Sequence, residues 1–217
     1  MKVAPRAATG FSLVELMIGI TVGLFILLGA SSLMVSQLGD HRRLTLETRT
    51  EQDLRVLAEL MRQDLQRSGV WQRPTLGVWS ELNPNPQANP NADVNIGAGG
   101  TSVLVRFWDG AMPSKQVGYR LDGQLVRRLD GGWQPVTDAD TVKITRFNAR
   151  LEETPLSMES ACALPCDGAA NCPPTVQMRE LIIRVEAEAA HDALVKRNFD
   201  VRVRLPADRM TGVCRAS

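Results

Sequence analysis

The chain has 217 residues, which is enough for one domain with an appendage but not for two large domains. Its 25 basic and 24 acidic side chains give a formal net charge of +1, so the composition provides no bulk attraction to nucleic acid or to acidic lipid. Aromatic residues make up 5% of the chain, too few for the stacking platforms of a single-strand binder, and no nucleic-acid partner is predicted.

A short basic stretch, residues 1–9, opens the chain and is followed by Gly10 and Phe11. The apolar segment that comes next has one carboxylate, Glu15, near its start and no charge from Leu16 to Gly39. These 24 uncharged residues span about 36 Å as a helix, and the hydrocarbon core of a membrane is about 30 Å thick. We therefore predict a transmembrane helix over residues 11–39. A charge in lipid costs at least ~2.5–3.5 kcal/mol, so we expect Glu15 to have a functional role.

The run Gly10-Phe11-Ser12-Leu13-Val14-Glu15 resembles the class III signal of type IV pilins and type II secretion pseudopilins. The resemblance implies that a prepilin peptidase cuts between Gly10 and Phe11 at the cytoplasmic face and methylates the new amino terminus. It also implies that Glu15 pairs during assembly with the α-amino group of Phe11, in its own chain or in a neighbouring subunit. Residues 1–10 are then the leader and the apolar segment is retained, whereas an ordinary secretory signal loses its apolar region.

Two other fates of the apolar segment stay open. Ala30-Ser31-Ser32 offers small residues to a conventional signal peptidase, and the segment is also long enough for an uncleaved signal anchor. Neither alternative accounts for Glu15. Within the segment, Gly19 and Gly23 form a G-x-x-x-G motif, which allows membrane helices to approach closely, and we predict a contact face there in a filament.

Helix-forming residues continue without proline from Asp40 to Arg67, and Gly69 follows as a stop signal, so one helix is predicted over residues 11–68. Its second half carries four apolar side chains at helical spacing: Leu54, Leu57, Met61 and Leu65. Charged side chains, Asp64 among them, cover the other faces. This pattern predicts an apolar stripe packed on the protein's own domain, with the charged side chains in solvent.

A β-rich globular domain is predicted over residues 69–217. A loop rich in proline, asparagine and glycine occupies residues 83–100, and Asp122-Gly123 indicates a tight hairpin. Apolar and polar residues alternate from Phe199 to Leu205, as is typical of an antiparallel sheet with one solvated face. The strand candidates are Ser102–Trp108, Gln116–Leu121, Gln124–Leu129, Val142–Leu151, Met178–Ala187 and Val195–Leu205. The predicted fold class is α+β, with one long helix packed on an antiparallel sheet.

Four cysteines lie toward the C-terminal end: Cys162, Cys166, Cys172 and Cys214. An even number in a chain that crosses a membrane favours disulfides in an oxidising compartment. Free thiols and a zinc site are the alternatives, but for zinc the paired C-x2-C spacing is missing and neither His41 nor His191 is near the cluster. Four cysteines allow three pairings, and the sequence does not choose among them.

The end of the helix resembles that of PilW-like minor pilins and J-type minor pseudopilins. The shared stretch consists here of Arg55, Asp64, Leu65, Arg67 and Gly69, shortly before Trp71. The resemblance implies a minor pilin whose partners are other minor pilins, the major pilin, the prepilin peptidase and the inner-membrane assembly platform, with membrane lipid around it before assembly. It also implies an inner-membrane protein with a periplasmic domain that later enters a pilus. A type II secretion pseudopilin is the alternative within the family.

No constellation of residues indicates an enzyme. His41 and His191 have no nucleophile in their sequence context, and no G-x-S-x-G elbow occurs. Asp138 and Asp140 form a two-carboxylate fragment without the ligand spacing of a calcium loop, and we interpret it as a solvated turn. No cofactor and no metal are predicted. The rival from another class of function is a signal-anchored periplasmic enzyme or binding domain.

Overall fold

The computed structural model describes residues 12–78, 83, 86–168 and 170–215. Gly10 and Phe11, where cleavage is predicted, lie outside the described residues. The chain divides into two compact units, Met1–Thr45 and Leu46–Ser217, and each is described by itself below. One helix, α1 (Leu13–Gln66), contributes its first part to the first unit and its last part to the second.

The described part of the first unit is helical from Leu13 onward and exposed along its whole length. Every residue from Ser12 to Thr45 is exposed except Gly23, which is half-buried. The hydroxyl groups in this stretch bond back to the helix, since Thr21 Oγ1 donates to Ile18 O (2.9 Å) and Ser31 Oγ donates to Leu27 O (2.7 Å). Among the described residues, α1 is the one helix long and apolar enough to cross a membrane.

In the second unit, the predicted apolar stripe is confirmed. Its four members are buried: Leu54, Leu57, Met61 and Leu65. Two polar side chains of the helix, Thr50 and Asp64, are buried with them, so the prediction that Asp64 faces solvent is wrong. The helix ends at Gln66, two residues before its predicted end. The chain then turns at Gly69, which has a φ of 78° and whose N–H donates to Arg106 O at 2.9 Å.

The described residues form two antiparallel sheets where one was predicted, while the α+β class is confirmed. The first sheet has its strands in chain order: β1 (Asn95–Ile96), β2 (Ser102–Phe107), β3 (Lys115–Asp122), β4 (Leu125–Leu129) and β5 (Trp133–Pro135). The second sheet consists of β6 (Val142–Ser157), β7 (Thr175–Ala189), β8 (Asp192–Arg204) and β9 (Arg209–Thr211), with β7 paired to the other three.

Two local differences from the predicted strands have physical reasons. Asp122 pairs with Leu125, so the central residues of the hairpin are Gly123 and Gln124 and not Asp122 and Gly123. Gly123 has a φ of 64°, as the first central residue of a type II′ turn requires. Strand β6 continues to Ser157, six residues beyond its predicted end at Leu151, although these six residues are exposed and therefore show no apolar alternation.

The core of the second unit lies where helix α1 and both sheets meet. Tyr119 and Val126 enter it from the first sheet, and Phe147, Ile183 and Val201 enter it from the second. These side chains are 0–2% exposed, and together with the helix stripe they form one continuous cluster. Burying each of these large side chains contributes about 1.5–3 kcal/mol of transfer free energy. The cluster is therefore the main source of stability in the unit.

Candidate functional site

Glu15 lies in the first turn of α1 and is exposed. Its backbone N–H donates to Ser12 O at 3.0 Å, which places the carboxylate at the positive end of the helix dipole. The large apolar side chains that follow are also exposed, and their exposed fraction ranges from 52% at Val22 to 77% at Phe25. A helix of this kind needs an apolar environment that its own unit does not provide, which means either lipid or other helices.

Gly19 and Gly23 have open space around them. A Cβ atom built at either position meets no other atom within 4 Å. Neither glycine is therefore required by packing inside the described part of this unit. The open space leaves both positions accessible to the close approach of another helix, which is what the G-x-x-x-G spacing predicts.

Asp64 joins the helix to the first sheet through a buried hydrogen-bond network. The Tyr119 hydroxyl donates to Asp64 Oδ2 at 2.5 Å, Arg128 Nε donates to the same oxygen at 2.6 Å, and Arg128 Nη2 donates to Oδ1 at 3.1 Å. Burial first, and the hydrogen bond to Asp64 second, raise the pKa of Tyr119 well above its usual range. The bond to Asp64 likewise raises the pKa of Arg128. The network fixes the rotation of the helix on β3 and β4.

Other residues of the helix-end stretch also have structural tasks. The Arg67 guanidinium lies 4.0 Å from the centre of the Phe107 ring, and Gly69 O accepts a hydrogen bond from Asn89 Nδ2 at 2.6 Å. A Cβ at Gly69 would lie 2.3 Å from the Cβ of Ala207, so no side chain fits there. In contrast, Arg55 is exposed and forms an ion pair along the helix, with Glu51.

All four cysteines are in disulfides. Cys162 pairs with Cys214, and Cys166 pairs with Cys172. The first bond ties the C-terminal segment to the loop between β6 and β7. The sulfurs of Cys162, Cys166 and Cys172 lie within 4.8 Å of one another, as metal ligands would. However, a metal binds thiolates, and in this structure each of these sulfurs is already bonded to another sulfur.

The two-carboxylate fragment, Asp138 and Asp140, forms a turn. Asp138 Oδ1 accepts from Asp140 N at 3.0 Å, and the Asp138 carbonyl accepts from Thr141 N and Val142 N at 3.1 Å and 2.9 Å. Its carboxylate and carbonyl therefore organise the chain between the two sheets. His191 lies in the exposed turn between β7 and β8.

A groove of about 830 Å³ lies at the C-terminal end of the helix, between Trp71 and the segment around Met210. Its two carboxylates are paired with arginines: Asp93 with Arg209 at 3.3 Å and Asp208 with Arg204 at 2.6 Å. These ion pairs occupy the charged groups of the groove. Among the described residues that line the groove, none is a nucleophile placed beside a general base.

The Asp64 network does not follow from the charge pattern of the helix, which groups Asp64 with the charged side chains outside the apolar stripe. Its position, three residues after Met61 and immediately before Leu65, nevertheless places it beside the apolar stripe. That position was the available signal. The partners Tyr119 and Arg128 depend on long-range packing, and no local pattern identified them.

An apolar helix exposed on all sides, a carboxylate in its first turn and a disulfide-bonded β-rich unit define a pilin- or pseudopilin-type protein. Comparison with known families agrees. Residues 5–31 match the prokaryotic N-terminal methylation motif, and residues 43–205, about three quarters of the chain, match the family described as prepilin peptidase-dependent protein B. The chain belongs to that family. Neither family is an enzyme family. No curated protein and no solved structure matches the chain.

Proposed function

We propose that this protein is a minor type IV pilin, which is cut by the prepilin peptidase between Gly10 and Phe11, methylated at Phe11 and incorporated into a pilus or into the complex that initiates one. The observation that carries the proposal is the exposed apolar part of α1 with its one carboxylate, Glu15. The family matches support processing by the peptidase. The minor role is inferred from the helix-end stretch, which resembles that of minor pilins, and from the absence of proline between Phe11 and Ser68, because the helix of a major pilin commonly has a proline some twenty residues in.

The proposed mechanism is transfer of the apolar helix from lipid to the core of a filament. In lipid the Glu15 carboxylate is costly, and in the filament it pairs with the α-amino group of Phe11 of its own chain or of a neighbour. Such a buried pair adds little net stability, but loss of one partner leaves an unpaired charge at roughly 3–5 kcal/mol. Glu15 would therefore fix the register of the subunit, while Gly19 and Gly23 allow neighbouring helices to come close.

The proposed organisation follows from this mechanism. Residues 1–10 are the leader, residues 11–39 cross the inner membrane within the long helix that ends at Gln66, and residues 69–217 form the globular domain on the periplasmic side. The proposed partners are other minor pilins, the major pilin and the inner-membrane assembly platform. Two disulfides in the globular unit agree with an oxidising compartment.

A minor pseudopilin of a type II secretion system is the second candidate, because the N-terminal methylation motif and the exposed helix suit both assemblies equally. The two functions separate by phenotype. Deletion of the gene removes surface pili if the protein is a minor pilin, and it blocks export of secreted enzymes with pili intact if the protein is a pseudopilin.

Mass spectrometry of the mature N-terminus tests the proposal. The expected mature protein begins with N-methylated Phe11 and retains residues 11–39. Gly10→Val is expected to block the cut and leave membrane insertion intact, whereas Ala8→Val, a matched change inside the leader, is expected to be processed normally. A mature protein that begins at Leu33, or that keeps Met1, contradicts the pilin proposal and favours a signal-anchored or secreted protein.

A further inference from the structure

The two disulfides of the globular unit are close enough to react with each other. The Cys162 sulfur lies within 4.8 Å of the sulfurs of both Cys166 and Cys172, although Cys162 is bonded to neither of them. Thiol–disulfide exchange requires a thiolate to reach the sulfur of a neighbouring disulfide. A thiolate released at Cys162 would therefore have the Cys166–Cys172 bond directly beside it.

The fourth cysteine lies beside the same cluster. Strand β9 pairs with the start of β7, with Thr211 opposite Thr175, and the chain after β9 continues alongside the segment before β7. Val213 N donates to Asn171 O at 2.9 Å. A Cβ built at Gly212 would be 2.6 Å from the same Asn171 oxygen. When the antiparallel register of Thr211 opposite Thr175 is continued by three residues along both segments, Cys214 falls opposite Cys172, so the backbone brings these two residues near each other.

We propose that the four cysteines form one thiol–disulfide exchange site, at which the observed pairing interconverts with a second pairing, Cys162–Cys166 together with Cys172–Cys214. The external reactant is a thiolate, either from a small thiol such as glutathione or from a dithiol oxidoreductase. In both pairings the C-terminal segment stays bonded to the loop between β6 and β7. The exchange moves its attachment from Cys162, which follows β6, to Cys172, which precedes β7.

The exchange is balanced and needs no net oxidant or reductant. The external thiolate attacks the Cys214 sulfur, the Cys162–Cys214 bond breaks, and Cys162 leaves as a thiolate. Cys162 then attacks the Cys166 sulfur, which breaks the Cys166–Cys172 bond and releases the Cys172 thiolate. Cys172 attacks the mixed disulfide at Cys214, and the external thiolate leaves unchanged.

Burial favours this order of steps. Cys162, Cys172 and Cys214 are half-buried and offer an external thiolate some access, whereas Cys166 is 5% exposed. Both sulfurs of the Cys162–Cys214 bond are therefore open to an external thiolate, whereas the Cys166 sulfur is reached from inside, by Cys162. The third pairing requires Cys166 to bond Cys214. It is disfavoured, because the hydrogen bond from Val213 to Asn171 brings the C-terminal segment to Cys172.

Three double variants of the full-length protein in detergent test the geometry. Cys162→Ser/Cys166→Ser retains Cys172 and Cys214, and we expect it to form their disulfide in a glutathione redox buffer as completely as Cys166→Ser/Cys172→Ser forms the observed Cys162–Cys214 bond. Cys162→Ser/Cys172→Ser is the matched control, with at least about tenfold less Cys166–Cys214 bond. Circular dichroism verifies folding. Free thiols at Cys172 and Cys214 in a folded variant overturn the proposal.

A peptide map of the wild-type protein decides the matter even if a variant fails to fold. Cleavage before Asp167 and after Arg179 leaves the observed pairing as one cluster of three linked peptides. In the proposed pairing, the peptide with Cys162 and Cys166 separates from the linked pair that holds Cys172 and Cys214. After incubation with glutathione, we expect the separated products at about a tenth or more of the total. A map with the three-peptide cluster alone, under conditions that label Cys162 as a transient thiol, overturns the proposal.

Discussion

The two parts of helix α1 have the same backbone conformation but different surroundings. From Ser12 to Thr45 the side chains are exposed, whether they are leucine, isoleucine or serine. From Leu46 to Gln66 the helix has one buried face, formed by its apolar stripe and Asp64, and one charged face with ion pairs along the helix such as Glu51–Arg55. The first part of the helix is apolar on all sides, which suits lipid or the core of a filament. The second part is apolar on one side, which suits a helix that packs on its own domain and faces water.

This difference indicates where each part obtains its stabilisation. The second part contributes to the folding of its own unit, because its stripe is removed from water by the two sheets. The first part gains nothing from its own unit and depends on lipid or on other subunits. Substitutions in the second part should therefore change the free energy of unfolding, and substitutions in the first should change assembly and leave that free energy unaltered.

The largest expected effect is on assembly, from Glu15→Ala. By the proposed mechanism its loss leaves an amino terminus unpaired at roughly 3–5 kcal/mol, which corresponds to at least about a hundredfold depletion from filaments. Cleavage and membrane insertion should be unharmed, since removal of a charge favours lipid. The measurement is filament content at matched membrane levels in a strain that lacks the native gene, with Ser12→Ala as the control. Normal entry of the variant into filaments would refute the mechanism.

The same substitution at two places in the helix tests the comparison directly. Leu57 is 1% exposed and Leu27 is 64% exposed. Leu57→Ala should lower the free energy of unfolding of the globular unit by roughly 2–5 kcal/mol, because it leaves a cavity in the core. Leu27→Ala should leave it within about 0.5 kcal/mol of the wild-type value. Urea unfolding of the full chain in detergent, followed by tryptophan fluorescence, measures both; equal losses would show that the two parts do not differ as described.

A smaller loss is expected from Asp64→Ala, which leaves the Tyr119 hydroxyl and the Arg128 guanidinium without their shared acceptor. We expect about 2–3 kcal/mol, less than for a fully buried ion pair, because the Arg128 side chain is 23% exposed and keeps some contact with water. Glu51→Ala removes a carboxylate from an exposed ion pair of the same helix and should cost less than about 0.5 kcal/mol. Unfolding in urea measures both variants, and similar costs would show that the buried network has no special importance.

The parts of the structure that the sequence predicted are those governed by local pattern. The length of the uncharged segment, compared with the thickness of a membrane, predicts the first part of α1. Helical spacing of apolar residues predicts the stripe from Leu54 to Leu65. The strands with one buried face, such as β2 and β8, show the alternation that burial imposes. The exposed end of β6 has no buried face, so its sequence shows no alternation of apolar and polar residues that would predict a strand.

The parts that could not be predicted depend on contacts between distant segments. The split into two sheets is decided at the turn organised by Asp138, where the next strand leaves the first sheet. The pairing of Cys162 with Cys214 depends on β9 returning to β7, which no cysteine spacing encodes. For Asp64, residue type and helical position gave opposite indications, and position was the better guide because Tyr119 and Arg128 satisfy the buried carboxylate.

The last and smallest effect concerns pH, and it uses the one tyrosine of the chain as a probe of the second unit. Burial, and then the bond to Asp64, raise the pKa of Tyr119, whereas in the unfolded chain it titrates near pH 10. Up to about pH 10 the phenol is protonated in both states and its contribution to stability is complete. Above that pH only the unfolded chain ionises, so stability should fall by up to about 1.4 kcal/mol per pH unit.

Tyrosinate absorbance in the near ultraviolet measures this directly, because every tyrosinate signal comes from Tyr119. The folded protein should remain without the signal at a pH where the urea-unfolded protein is largely ionised. Asp64→Asn keeps an oxygen acceptor but removes the charge, so the pKa should fall from its wild-type value yet stay above 10, since burial is the larger cause. If wild-type Tyr119 titrates near pH 10 while the unit is still folded, the phenol is in contact with water, and the close packing of the second part of α1 on β3 is wrong.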